Sequence, residues 1–154
     1  MKDFDSVDRV ILAALRNDAR VSNKTLADKA GIAPSTCLAR VARLEREGVL
    51  IGYHAELDPR AVGIGVQAMI SVRLAKHARA EVDAFVQHLL SLREVLMVLH
   101  VAGVNDYLVH VAVHDTDHLR RLVLDAFTAR PEVAHLETNL IFSQVRNPKL
   151  PLFD

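Results

Sequence analysis

The segment at residues 34–48 constrains the fold of this chain most, because its ends and its spacing both predict one helix. Proline at the first helical position and glycine just past the last are typical helix boundaries. At about 100° per residue, apolar and polar side chains collect on different faces. The apolar face has Cys37, Val41 and Leu44 at its centre and Leu38 and Ala42 at its flank. The other face carries hydroxyls, a small side chain and three guanidinium groups, from Ser35, Thr36, Ala39, Arg40, Arg43 and Arg46.

The residues before this helix predict a second helix, joined to it by a tight turn. Ser22 is placed as an N-cap, and Gly31 supplies the backbone freedom to end the helix. A short turn at residues 31–33 between two helices is typical of a helix-turn-helix. A helix fits the major groove of DNA, where arginine binds guanine edges and phosphates. The pattern therefore predicts a DNA-binding motif. The alternative is an ordinary helical hairpin whose basic face is only solvated.

A third helix is predicted at residues 5–18, with Asp5 or Ser6 as its cap. Its helically spaced apolar residues are Val7, Val10, Ile11, Ala14 and Leu15. Three helices are what a small helix-turn-helix domain needs to bury both members of the motif. After them, residues 49–57 have the composition of a strand, and Asp58-Pro59 with Gly63 and Gly65 marks a break.

The second half of the chain alternates strand and helix patterns. Strand-like runs occupy residues 66–75, 95–102, 107–113 and 133–145, and helical patterns occupy 79–92 and 116–130. The order βαββαβ is the ferredoxin-like arrangement, in which both helices cover one face of a four-stranded sheet. The core-facing residues predicted for the two helices are Val82, Phe85, Val86, Leu89 and Leu90, then Leu119, Leu122, Val123, Ala126 and Phe127.

These patterns predict an α+β fold with two domains. A helix-turn-helix domain with a linker strand occupies residues 1–58, a hinge 59–65, the βαββαβ domain 66–146 and an extended tail 147–154. Apolar residues at 95–99 point both ways along a strand that we expect in the middle of the sheet. The uncovered sheet face should therefore be buried against a second copy of the chain. Leu150, Leu152 and Phe153 of the tail are available to pack on a neighbour.

Composition limits the other function classes. The chain has 154 residues and a formal net charge of zero, so attraction to DNA must come from a local basic face and from pairing of subunits. Cys37 is the only cysteine, which excludes an internal disulfide and a multi-cysteine zinc site. No apolar leader or membrane-spanning run is present, so we expect a cytosolic protein without a membrane partner.

An enzyme would need a chemical centre, and the eight histidines are the candidates. His100 and His110 could lie opposite each other on two strands, and His114 with His118 brackets the end of the second strand. No cysteine or carboxylate completes a metal site with them, so we predict no metal. No phosphate-binding loop or nucleophile elbow is evident. We therefore predict no catalytic residues and no enzyme activity.

Many of these residues together resemble the Lrp/AsnC regulators, also called feast/famine regulatory proteins. The resemblance covers nearly the whole chain. It rests on Asp5 and Asp8, on the run from Gly31 through Pro34 to Leu38, on Arg40, Arg43-Leu44-Glu45, Gly48-Val49-Leu50, Gly52-Tyr53 and Asp58-Pro59, and on Gly103, Asp106 and Tyr107. It implies a winged helix-turn-helix domain followed by an ACT-like ferredoxin (RAM) domain. It also implies a transcription regulator that binds double-stranded DNA, responds to an amino acid and has no cofactor. Its dimers are expected to form by pairing of their sheets and to assemble into tetramers or octamers.

The resemblance places the effector between dimers, near the turn at residues 103–106. A free amino acid needs backbone donors for its carboxylate and a negative charge for its ammonium group. Glycine lets the backbone approach a ligand, and Asp106 can bind the ammonium group. The predicted effector-binding residues are Gly103, Val104, Asn105, Asp106, Tyr107 and, from the facing dimer, Thr138. The alternative is that Asp106 only caps a hairpin turn.

The chain departs from the family pattern at two positions. Asn105 stands where many relatives have an aromatic residue, which leaves the effector's identity open. Ala33 replaces the usual serine cap, which should cost the helix about 1 kcal/mol of stability.

Two alternative functions remain, an amino-acid-sensing module and an architectural DNA-binding protein without effector control. Exposed arginines on the second helix of the motif favour the regulator over a pure sensor.

Overall fold

A computed structural model describes residues 4–75, 79–145 and 147 of the chain. It divides into two compact units: the first contains the chain up to Glu56 together with Val145, and the second spans Leu57–Gln144. Within the described residues no helix is both long enough and apolar enough to cross a membrane. The predicted packing of Leu150, Leu152 and Phe153 lies outside the described residues.

The first unit contains three helices, α1 (Ser6–Asn17), α2 (Asn23–Ala30) and α3 (Pro34–Arg46). Both predicted caps form. The Asp5 carboxylate accepts from the backbone N–H of Asp8 at 2.8 Å, and the Ser22 hydroxyl accepts from the N–H of Thr25 at 3.1 Å. Ala33 makes no side-chain cap bond before α3. Gly31 ends α2 at φ 66°, a left-handed conformation that favours glycine.

The three helices enclose one apolar core. Its buried members are Ile11, Leu12, Leu15, Leu26, Ala27, Cys37 and Leu44. Val10 was predicted in the apolar stripe of α1, but it is 39% exposed, while Leu12 is buried in its place. Helical spacing predicts the direction in which each side chain leaves the helix. The positions of the neighbouring helices then determine which of these side chains are buried.

The strand predicted at residues 49–57 does not form. Residues 51–57 pair with no strand among the described residues, and Ile51 is 92% exposed. β-forming composition stabilises a strand only when a partner supplies the ladder of hydrogen bonds. The first unit therefore has no wing within residues 4–56.

The second unit has the predicted βαββαβ order. After a short 3₁₀ turn at Arg60–Val62, its elements are β1 (Val66–Leu74), α4 (Arg79–Ser91), β2 (Val95–His100), β3 (Tyr107–Val113), α5 (Thr116–Leu122) and β4 (Val133–Leu140). A π-helical segment, Val123–Thr128, continues α5. Gly65 leads into β1 where the chain passes so close to His114 that a Cβ atom would lie 2.2 Å from its carbonyl oxygen.

The antiparallel sheet has the strand order β2-β3-β1-β4. Alternate residues of β1 and β3 pack beneath both helices, where Ile70, Val109, Phe85, Leu89 and Phe127 are fully buried. The prediction that residues 95–99 form a middle strand is wrong, because β1 pairs with both β3 and β4 and leaves β2 at an edge. Leu90 of α4 was also assigned to the core, but it is 60% exposed.

Candidate nucleic-acid interface and ligand site

Helix α3, the second helix of the motif, has an exposed surface along its length. Six of its exposed residues, called here the outer surface, are Ser35, Thr36, Leu38, Ala39, Ala42 and Arg46. Pro34 and Glu45 of α3 are also exposed, and Glu45 accepts a hydrogen bond from the Tyr53 hydroxyl. The side-chain amide of Asn23 on α2 donates to the carbonyl of Pro34 at 2.9 Å and so fixes the start of α3. The outer surface has small side chains and hydroxyl groups near the amino end of the helix and Arg46 at the carboxyl end. This arrangement suits close approach of the helix to a DNA groove.

Arg40 and Arg43 turn toward α1 instead of projecting from the outer surface, although their side chains are 28% and 39% exposed. Their predicted role in DNA binding stays a prediction. Arg40 binds the carboxylates of Asp5 at 2.6 Å and Asp8 at 3.0 Å. Arg43 binds the other oxygen of Asp8 at 2.6 Å. The two arginines are one turn apart on the side of α3 that faces α1, and the buried charge of Asp8 holds them there.

Asp8 contributed to the family resemblance, but sequence reasoning gave it no structural role. It is only 1% exposed and occupies a core position of α1 beside Ile11, Leu12 and Leu15. A carboxylate within an apolar stripe is the signal that could have revealed it, because buried charges are almost always paired. The backbone N–H of Asp8 and then the Arg40 guanidinium lower the pKa of Asp5, and bonds from Asp5 and Asp8 raise the pKa of Arg40. Within the described residues, Nε of Arg43 is buried without a hydrogen-bond partner.

The turn after β2 is fastened to β1 by Asp106. The backbone N–H of Asp106 donates to the carbonyl of Val72, and its carboxylate accepts from the N–H of Leu74 at 2.7 Å. Gly103 adopts φ 144°, which favours glycine. Val104 is 78% exposed at the tip. The carboxylate of Asp106 therefore holds its own turn, and this bond does not exclude a ligand.

The other predicted effector residues lie in different surroundings. Tyr107 is 3% exposed and its ring stacks on His100 at 4.9 Å, so it supports the turn from within the unit. Asn105 is half-buried. Thr138 lies on β4 opposite Ile70, with β1 between it and the strand that carries the turn. One chain does not bring Thr138 to the turn, and its predicted role across a dimer contact stays a prediction.

The histidines do not form the pair that the sequence suggested. His100 lies opposite Tyr107 and His110 lies opposite Met97, because the turn takes up residues 101–106 and sets the register of the hairpin. His110 instead hydrogen-bonds the Gln67 side chain at 2.8 Å, and burial lowers its pKa. His114 and His118 do lie close together. No group of three potential metal ligands occurs in the part of the chain that the structure describes.

An open cavity of about 270 Å³ lies at the edge of the sheet beside the start of β2. Apolar side chains including Ile64, Leu96 and Val113 line it, together with Arg93, Glu94 and His118. Glu94 accepts from Arg93 at 3.0 Å and pairs with His118 at 3.1 Å. Burial raises the pKa of Glu94, but bonds from Arg93, its own amide and His118 outweigh this and leave the pKa lowered. Sequence reasoning missed this grouping, because its residues come from separate elements.

Two protein-family models match this chain. A model described as an AsnC-type helix-turn-helix domain matches residues 4–45. A model described as a Lrp/AsnC ligand binding domain matches residues 67–150. The first match contains α1, α2 and most of α3, and the second contains nearly all of β1 and the whole of β2, β3 and β4.

Whole-chain relatives agree with these matches. The chain is 46% identical over 145 residues to the HTH-type transcriptional regulator AldR of Mycolicibacterium smegmatis, covering 94% of this chain and 85% of the relative. It is 32% identical over 145 residues to the leucine-responsive regulatory protein of Escherichia coli, covering 94% and 88%.

Solved structures share the fold. The crystal structure of MtbAldR superposes with a TM-score of 0.80 at 40% identity and covers 96% of this chain and 97% of that one. The transcriptional regulator NMB0573 of Neisseria meningitidis, solved as a complex with L-Met, superposes with a TM-score of 0.87 at 28% identity over 94% of both chains.

Proposed function

We propose, from the premise that this chain belongs to the Lrp/AsnC family of transcriptional regulators, that it reads DNA through the outer surface of α3. The observation that carries this proposal is the exposure of Ser35, Thr36, Ala39 and Arg46 in one stripe along that helix. Hydroxyl groups and an arginine can bond base edges and phosphates, and alanine lets the helix approach them closely. Arg40 and Arg43 support this surface from behind, because Asp5 and Asp8 bind them.

Binding of the purified chain to its own upstream DNA tests the DNA proposal. Fluorescence anisotropy should show an affinity about a thousandfold or more above that for a scrambled duplex at the same salt concentration. A footprint should cover two half-sites about one helical turn apart, or a multiple of it. An affinity that depends on salt but not on sequence would contradict the proposal and favour an architectural protein.

We propose that a free amino acid is the effector and that it binds at the turn of residues 103–106. Support comes from the exposed tip at Val104, the positive φ of Gly103 and the carboxylate of Asp106, which offers a charge for an ammonium group. The similar Neisseria meningitidis regulator was solved with L-Met. Repeating the anisotropy measurement with each amino acid in turn should reveal at least one that shifts the affinity for operator DNA or the oligomer size. No response to any of them would contradict the effector proposal and leave the DNA proposal standing.

We also propose that the chain forms a homodimer through the sheet face that the helices leave uncovered, and that dimers assemble further. Met97 and Leu99 on this face are 45% and 40% exposed, and they lie opposite His110 and Leu108. Exposed apolar side chains in one patch are typical of an interface. Sedimentation should show a dimer or larger species, and Met97→Asp should dissociate it without unfolding the chain. A stable wild-type monomer at micromolar concentration would contradict this assembly.

A further inference from the structure

One carboxylate connects α1 to two consecutive turns of α3. Oδ1 of Asp8 lies 3.0 Å from a terminal nitrogen of Arg40, and Oδ2 lies 2.6 Å from a terminal nitrogen of Arg43. Asp8 itself is fixed, because its side chain is 2% exposed and its backbone N–H binds the Asp5 cap. The two contacts therefore tie two points along α3 to one buried point on α1.

The apolar contacts of α3 constrain it less sharply. Cys37 and Leu44 are fully buried, but hydrophobic contact has no preferred direction and tolerates a small rotation or slide of the helix. Charge-assisted hydrogen bonds between arginine and carboxylate are directional. Turning α3 about its axis would move both guanidinium groups away from Asp8, and it would also change which side chains form the outer surface.

We propose that Asp8 is a positioning residue for DNA recognition, which fixes the rotation of α3 and thereby selects the residues that face the bases. This inference rests on the proposed function of the outer surface. Asp8 is buried and does not touch DNA. It acts through Arg40 and Arg43, so losing it should reduce discrimination between sequences more than it reduces attraction to DNA in general. General attraction depends on positive charge, which the loss of a carboxylate increases.

The test compares Asp8→Asn with Asp18→Asn, a control that removes the same charge. Asp18 is exposed at the end of α1, and its bond from the N–H of Arg20 can be kept by an asparagine oxygen. The affinity of each variant for the upstream DNA and for a scrambled duplex is measured at one salt concentration, at a temperature where circular dichroism shows a fully folded chain. The ratio of the two affinities reports discrimination, and a change of stability alone does not move it.

We expect Asp8→Asn to lower this ratio about tenfold, as the loss of a base contact does, while its affinity for the scrambled duplex stays equal or rises. Asp18→Asn should keep the wild-type ratio. A folded Asp8→Asn variant with the wild-type ratio would overturn the inference. A wild type that shows no preference for its upstream DNA would instead overturn the proposed function, and the inference with it.

Lysine variants keep the test decisive if Asp8→Asn does not fold. Arg40→Lys and Arg43→Lys keep both positive charges but lose the planar fork that binds each carboxylate oxygen in a fixed direction. Each should lower the ratio in the same direction with little change in affinity for the scrambled duplex. Unchanged ratios in both folded lysine variants would overturn the role of Asp8.

Discussion

Helix α3 and the turn at residues 101–106 both carry charged side chains that the sequence assigned to a ligand. In both places the structure binds those charges within their own unit. Arg40 and Arg43 bind the carboxylate of Asp8, and the carboxylate of Asp106 accepts from the backbone N–H of Leu74. The arginines bind a carboxylate, and the bond described for Asp106 comes from a backbone amide.

This difference decides what each charge can still do. Asp8 binds both arginines and Asp5 also binds Arg40, so their guanidinium groups are directed toward α1. The N–H of Leu74 is neutral, so that bond leaves Asp106 its negative charge, which can still attract an ammonium group.

The largest effect should follow removal of the ionic partner. Asp8→Ala should lower the free energy of unfolding of the first unit by about 2 to 3 kcal/mol, because it removes two charge-assisted hydrogen bonds from a buried site. Hydrogen exchange of amides in α1 and α3 measures this loss. Asp28→Ala is the control, since Asp28 is exposed on α2 and should change stability by less than about 0.5 kcal/mol. Equal losses in both variants would contradict a structural role for the ion pairs.

Substitution of Asp106 separates its bond from its charge. Asp106→Ala removes the acceptor of the Leu74 N–H and should cost about 1.5 kcal/mol of stability in the second unit. Asp106→Asn keeps an acceptor oxygen, so its melting temperature should stay close to that of the wild type while amino-acid binding is lost. Calorimetric titration of the asparagine variant with the amino acid that binds the wild type checks this. Retained affinity would leave Asp106 with the hairpin role alone.

A smaller effect is expected on the outer surface, where Arg46 is exposed. Arg46→Ala should weaken binding to every DNA sequence by about 1 kcal/mol, as loss of a phosphate contact does. The slope of log affinity against log salt concentration should fall by about 1, which corresponds to one ion fewer released on binding. Thermal unfolding should be unchanged. Arg43→Ala is the contrasting variant, because it should lower the stability of the first unit by leaving one buried oxygen of Asp8 without its arginine partner. If Arg46→Ala left DNA affinity unchanged, the assignment of the outer surface would be wrong at this end of α3.

Local sequence signals predicted the helices of both units and four of the five expected strands. Asp5, Ser22 and Gly31 sit at helix ends, where capping depends only on residues within one turn. The pairing of Asp8 with Arg40 and Arg43 joins residues 32 and 35 positions apart, so no local pattern contains it. The register of His110 failed for a similar reason, since the length of an intervening turn sets which residues oppose each other.

Acid provides the smallest test of the contrast, because His110 in the second unit and Asp5 in the first both have lowered pKa values but differ in the usual range from which these are lowered. Burial lowers the pKa of His110 below its usual 6.5, so the unfolded chain binds this proton more readily than the folded chain. The stability that depends on neutral His110 is complete above about pH 6.5, and it is lost as the pH falls through the lowered pKa. The Asp8 N–H and then Arg40 lower the pKa of Asp5 below 3.8, so its contribution is complete above that pH and is lost only below it.

The contribution of His110 to the second unit should therefore begin to be lost at a higher pH, below about 6.5, than the contribution of Asp5 to the first unit, which is lost below 3.8. Amide exchange in β3 and α1, corrected for the intrinsic effect of pH on exchange, measures the two units separately. His110→Gln keeps a side chain that can bond Gln67 but does not titrate, so it should flatten the pH dependence of β3 and leave α1 unchanged. Equal acid sensitivity of β3 in this variant and in the wild type would show that another group in the second unit is responsible.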